Sequence, residues 1–190
     1  MEARTEERPA LVPEGATQAG EAEARRERWT WAEPSVWTDR MLAALENGVR
    51  GGKWFSLIDK VYRKENLHAA FKKVKKNKGA GGVDHVTVEG FERRLDRELT
   101  KLSDELRTGT YQPQAARRAY IEKPGTKEKR PLGIPTVRDR VCEGAMRHVL
   151  EPIFEREFAE NSHGFRPERS APKGQAFLFA QSVAATQTGS

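Results

Sequence analysis

The chain has 190 residues, enough for one domain of ordinary size, and with 33% charged and 36% hydrophobic residues it can bury only a modest core. Its formal net charge of +6 is uneven: residues 1–50 carry ten acidic and seven basic side chains, residues 51–190 eighteen acidic and twenty-seven basic. A basic body favours a polyanion, here nucleic acid, while the lack of any apolar run near the roughly 18 residues of a membrane span argues against a membrane partner, and the single Cys142 excludes an internal disulfide and fits a reducing cytoplasmic setting.

Residues 1–28 are rich in Glu, Ala, Arg, Gly and Pro, nearly devoid of large apolar side chains, and expected to be disordered. Trp29, Trp31, Trp37 and Trp54 then fall close together. Packing of an N-terminal extension (residues 29–65) onto the body is the preferred reading, and stacking on nucleotide bases the alternative. Thr38 is a good N-cap for a helix with Met41, Leu42 and Leu45 on its apolar face, ended by Asn47-Gly48. After a break at Gly51-Gly52, residues 54–62 read as helical, with Leu57, Ile58 and Val61 inward.

Asn66 is placed as the cap of a clearer helix, in which Leu67, Ala70, Phe71 and Val74 share one face. Lys72, Lys73, Lys75, Lys76 and Lys78 crowd the remainder. Such a run is often a solvated face, but charges this dense repel one another, and an RNA backbone would neutralise them with release of counterions. Gly79-Ala80-Gly81-Gly82 is a loop whose amides could approach a phosphate, or a flexible turn before Val83-Asp84. A long helix starting at Thr87 or Glu89 is predicted from Phe91, Leu95, Leu99, Leu102 and Leu106, closed by Thr108-Gly109.

Residues 117–140, RRAYIEKPGTKEKRPLGIPTVRDR, are the most patterned stretch. Arg117, Ala119 and Ile121 alternate with Arg118, Tyr120 and Glu122 as in a strand with two different faces. Pro124-Gly125 opens a charged turn, and Pro131 suits an edge strand through Leu132-Gly133-Ile134. The result is a β-hairpin with a basic tip, read either as a solvated turn or as a finger that clamps phosphates. Asp139 suits the N-terminus of the next helix, whose buried stripe is Val141, Ala145, Val149 and Leu150. Pro152 is expected to kink or restart that helix, and Ile153, Phe154 and Phe158 to continue the apolar side. NSHGFRPER (161–169) reads as a tight loop carrying Arg166 and Arg169, and residues 175–190 hold no charge at all.

Three of these blocks resemble, in order and spacing, the group II intron reverse transcriptases, also called intron-encoded maturases. They are NLHAAFKKVKKNKGAGGVDHVTVEGF, YIEKPGTKEKRPLGIPTVRDRV and VLEPIFEREFAENSHGFRPERSA. The resemblance runs over residues 29–171 and departs in detail: Glu122 stands where proline is usual, the turn after Lys123 is one residue long, and Cys142-Glu143 replaces an apolar-glutamine pair. It implies an α+β fold, the fingers subdomain of a right-hand polymerase (residues 66–171), with palm and thumb missing and residues 172–190 an aberrant, disordered tail.

By the same resemblance, Lys123 and Arg130 would contact the triphosphate of an incoming deoxynucleotide. Arg117, Arg118, Arg138, Arg140 and Arg166 would line the template path, and the lysines from Lys72 to Lys78 would grip intron RNA. In the intact family two magnesium ions are held by palm carboxylates, including a Tyr-Ala-Asp-Asp turn. Here no two aspartates adjoin and none follows Asp139, so no Mg2+ is expected to be held and no residue is assigned a catalytic role. Glu143, Glu151, Glu155, Glu157 and Glu160 have the spacing of a solvated face, and His68, His85, His148 and His163 lack zinc spacing with Cys142. The expectation is an inactive N-terminal fragment that binds RNA. Its alternatives are a stand-alone maturase-like RNA-binding module and a fingers subunit that assembles with a separately encoded palm. Apolar surface meant for the palm would then stand exposed.

Overall fold

A computed structural model describes residues 14–48 and 56–159, together with residues 162, 164, 166 and 167. The expectations for Trp54, His163, Arg169 and the uncharged tail lie outside the described residues. The elements are α1 (Glu14–Arg28), α2 (Asp39–Asn47), α3 (Ile58–Val61), α4 (Lys64–Asn77), α5 (Val88–Glu92), α6 (Leu95–Thr108), β1 (Arg117–Glu122), β2 (Lys129–Ile134) and α7 (Val137–Glu155). Among the described residues this is an α+β arrangement in which helices form the body and the two strands pair with each other, antiparallel.

The centre of the body is the packing of α4 on α7. Leu67, Ala70, Phe71 and Val74 of α4 are buried as their spacing predicts, against Val141, Ala145 and Val149 of α7 in one core cluster. Gly144 lets the two helices approach closely: a Cβ there would lie 3.3 Å from the Ala70 Cβ. Phe91 of α5 stacks on Phe71 with ring centroids 5.6 Å apart, and Leu99 and Leu102 of α6 complete that side of the core. Each fully buried Leu or Phe contributes on the order of 1.5–3 kcal/mol of apolar burial.

Several expectations change. Residues Glu14–Arg28 form a helix where disorder is expected. Its Ala, Glu and Arg residues have high helix propensity, and Arg25 and Arg28 pair with Glu46 while Arg26 pairs with Asp39, so ion pairs supply what apolar burial does not. The helix predicted over 54–62 is described only as the short α3, and Ile58 points outward, 53% exposed. The single long helix after Thr87 is two: Thr87 caps α5, its Oγ1 accepting from the Gly90 amide at 3.0 Å, and the chain breaks at Arg93-Arg94 before α6. The break redirects the chain so that Phe91 and the leucines of α6 all reach the same core. Thr38 does cap α2, and Gly109 does close α6, in the left-handed conformation (φ 69°).

Asn66 is not a cap. It is the third residue of α4, fully buried, and its Nδ2 donates to the carbonyls of Lys60 (3.0 Å) and Ala145 (3.1 Å). Its Oδ1 is 2.8 Å from His148 Nδ1, so one amide joins α3, α4 and α7. Pro152 does not end α7, which runs on to Glu155. A proline has no N–H and leaves the carbonyl four residues back without its helical donor. Here that carbonyl is His148 O, and the buried Trp37 indole Nε1 donates to it at 2.8 Å. The packing reading of the tryptophans therefore holds for Trp37, and Trp29 and Trp31 also lie against the core, their ring centroids 5.3 Å apart. Leu150, expected inside, is 39% exposed, and Met146, Leu150, Phe154 and Phe158, four residues apart, form an exposed apolar ridge.

Candidate nucleic-acid interface

The lysines follow from α4's buried stripe: with Leu67, Ala70, Phe71 and Val74 facing the core, Lys72, Lys73, Lys75 and Lys76 must face outward, and all four are exposed. Lys75 pairs with Glu92 at 2.5 Å. Lys72, Lys73 and Lys76 have no ion-pair partner among the described residues. Lys78 follows as the C-cap at φ 55°, turning the chain into the glycine loop.

That loop is gripped through its carbonyls. Arg140 of α7 donates to Ala80 O at 2.9 Å and to Lys78 O at 3.4 Å, and Arg117 at the base of β1 donates from Nε to Gly81 O at 3.0 Å. Gly82 is buried, and a Cβ there would lie 2.6 Å from the Thr136 Cα, so glycine is required by close backbone approach. These bonds give the loop glycines a packing role, and they hold Arg117 and Arg140 beside Lys78 as one cationic junction between α4, the hairpin and α7.

The hairpin register pairs Arg117 with Ile134, Ile121 with Arg130 and Glu122 with Lys129, and its faces alternate as the sequence predicts. Pro131 lies within β2, opposite Tyr120. Gly125, at φ 77°, turns the tip, and Lys123 is 2.6 Å from Glu128. Arg118, Lys123 and Arg130 are exposed. The two residues assigned to a triphosphate therefore flank one tip, with Lys123 already engaged by a carboxylate.

Beneath the hairpin lies a buried cap. Thr136 is the N-cap of α7, its Oγ1 accepting from the Asp139 amide at 3.1 Å and donating to Asp139 Oδ2 at 2.7 Å. Asp139 also accepts from Tyr111 Oη and, at 3.2 Å, from the Gln114 amide. Burial, and then this bond to a carboxylate, push the Tyr111 phenol far above its usual range. Burial likewise raises the Cys142 thiol, which makes it an inert core residue rather than a nucleophile.

Two of the arginines assigned to the template path are occupied. Arg138 is ion-paired with Glu105 and lies over the Tyr111 ring at 5.7 Å. Arg166 is 9% exposed, paired with Glu155 at 2.6 Å, donates to the Ala159 and Ser162 carbonyls, and lies over the Phe158 ring. It closes its own loop. Among the described residues no group of three His, Cys, Asp or Glu side chains could hold a metal, and Glu151 and Glu155 are held by Arg147 and Arg166.

The pair of Asn66 and His148 was not visible as a site in the sequence; the one signal was Pro152, which leaves a carbonyl without a donor at His148. With Nδ2 of Asn66 donating twice, its Oδ1 must accept, so His148 carries its proton on Nδ1. Burial, reinforced by the charge of Lys73, lowers the His148 pKa to about 4, so the ring is neutral and Nε2 is a bare acceptor. That Nε2 is buried without a hydrogen-bond partner among the described residues.

The helical body thus carries a lysine face, an arginine junction and a basic two-stranded hairpin, a cationic surface of the kind sought for nucleic-acid contacts. Comparison with known proteins adds relatives to this surface. The chain is 42% identical over 110 residues to the group II intron-encoded protein LtrA of Lactococcus lactis subsp. cremoris, 57% of this chain and 18% of that protein. It is 40% identical over 153 residues to protein YkfC of Escherichia coli K12, 78% of this chain and 36% of that protein. It is 33% identical over 106 residues to a COX1/OXI3 intron 1 protein of Saccharomyces cerevisiae, 55% of this chain and 12% of that protein. No protein-family model matches. The chain is thus a homologue of group II intron-encoded proteins, related to the reverse transcriptase/maturase family its motifs resemble, and spans between 12% and 36% of the length of these relatives. No helix among the described residues is long and apolar enough to cross a membrane.

Proposed function

We propose that these residues are the RNA-gripping fingers part of a group II intron-encoded reverse transcriptase/maturase. The observation that carries the reading is the lysine face of α4, three of whose charges lack an ion-pair partner among the described residues, beside the arginine junction at the glycine loop. RNA phosphates would neutralise that face by charge-assisted hydrogen bonds, and the binding would depend on salt. In an intact relative, Lys123 and Arg130 at the hairpin tip would reach the phosphates of a deoxynucleoside triphosphate. Binding is what this reading assigns to the described residues.

The test is a titration of labelled intron-derived RNA with the full chain at several salt concentrations. Replacing Lys72 and Lys76 together by Gln is expected to weaken binding and to flatten the log–log salt slope by roughly 0.7–0.9 for each phosphate that is no longer neutralised. Unchanged affinity and slope would sink the reading.

The ridge of Met146, Leu150, Phe154 and Phe158 favours a second reading, in which this body works packed against a separately encoded palm. Co-expression with a palm-encoding chain is expected to give co-purification, and repeated recovery of the two apart would count against it.

A further inference from the structure

A groove of about 570 Å³ runs between α4 and α7 and is walled by Trp31, Lys73, Lys78, Arg140, Glu143 and His148, with the Arg147–Glu151 ion pair at its edge. Its volume lies within the usual range for a small-molecule site, about 300–1,000 Å³, and suits one nucleotide. The ion pair cancels, so three cations face one carboxylate, Glu143. Trp31 in the lining is half-buried, its ring tilted against that of Trp29 with centroids 5.3 Å apart. In the wall is His148, 4% exposed, with a ring nitrogen that nothing in the described structure satisfies. Buried polar atoms are seldom left so, and an exception calls for an explanation.

The chemistry of the walls is specific. Nδ1 of His148 is committed to Asn66, so Nε2 can only accept, and it would be met by an O–H or N–H donor. An ionised phosphodiester has no such donor. A nucleotide has several: the ribose 2′-hydroxyl and the N–H groups of its base. An aromatic platform takes a base face, and a row of Lys and Arg takes the phosphate on either side.

We infer that this groove holds one unpaired nucleotide of a bound RNA strand, its base against Trp31, its phosphates at Lys73, Lys78 and Arg140, and a hydroxyl or base N–H donating to Nε2 of His148. The site rests on the RNA-binding reading above and adds to it a single-stranded substrate and a defined pocket. The lysine face supplies salt-dependent attraction, and the groove selects an unstacked residue.

The probes are fluorescein-labelled oligouridylate and oligodeoxyuridylate of about twelve residues, close to the site sizes of single-strand binders, titrated into the full chain by fluorescence anisotropy. His148→Asn keeps a donor where Nδ1 stood, so the bond to Asn66 can persist, and removes Nε2. Trp31→Leu keeps apolar packing and removes the aromatic face. Thermal melts of both variants confirm that the body still folds. Each variant is expected to weaken oligouridylate binding about five- to tenfold, at constant salt slope, whereas the Lys72 and Lys76 double variant changes the slope. Loss of the preference for the ribo-oligomer in His148→Asn assigns the donor to the 2′-hydroxyl, and equal weakening of both oligomers assigns it to the base. Wild-type affinity in both folded variants, with binding still reduced by the lysine changes, overturns the pocket and leaves the RNA-binding face standing. No binding by the unaltered chain overturns both.

Discussion

The helical body and the hairpin solve opposite problems. In the body, α3, α4, α6 and α7 share one buried cluster, and some of its polar groups are paired across elements: Asn66 with His148 Nδ1 and Ala145, Trp37 with the carbonyl that Pro152 leaves free. Among the described residues the hairpin has two strands and no third, and most of its residues are exposed. A two-stranded ribbon is marginal by itself in water and depends on its attachment. That attachment is at its base, where Arg117 donates to the glycine loop and Thr136 and Asp139 cap α7 below β2. A charged, exposed tip is thus joined to a fixed root.

The contrast can be broken most sharply in the core. Leu102→Ala is expected to cost about 2–5 kcal/mol, because Leu102 is fully buried and its removal leaves a cavity, whereas Ile121→Ala in the half-buried face of β1 is expected to cost well under half as much. Chemical denaturation of both variants checks this, and equal losses would mean that the hairpin belongs to the core.

A second, smaller effect follows from His148. Its pKa falls from an ordinary value near 6.5 to about 4 in the folded chain. The folded state therefore binds this proton less readily than the unfolded state. The neutral ring's contribution is complete above about pH 6.5 and is lost as the pH falls from there towards 4, by up to about 3 kcal/mol. Melting temperature against pH should fall across that window in the native chain and fall less in His148→Asn; parallel curves would contradict it.

The smallest effect is at the tip. Gly125 sits at φ 77° with open space around it, so Gly125→Ala meets no atom and costs only backbone strain, about 1 kcal/mol. Hydrogen exchange is expected to quicken in β1 and β2 while α4 and α7 keep their protection. Loss of protection in the body would show the two regions to be coupled.

Much of this was legible in the chain itself. The stripe Leu67, Ala70, Phe71 and Val74 specifies which face of α4 is buried and so exposes the lysines; Thr38 and Gly109 mark helix ends; Pro124-Gly125 between alternating runs specifies the hairpin and its basic tip. These are local rules of period, cap and turn, written within a few residues. Charge in a sequence does not say whether a partner is near: Glu105 and Glu155 pair with Arg138 and Arg166, and they come from 33 and 11 residues away. Tertiary structure alone decided that Asn66 is a buried hub and not a cap, that Trp37 satisfies His148 O so that α7 can pass through Pro152, and that α4 and α7 enclose a groove with an unpaired nitrogen in its wall. Each depends on partners up to 111 residues apart, which no local pattern encodes and only the packing of the helices brings within hydrogen-bond distance.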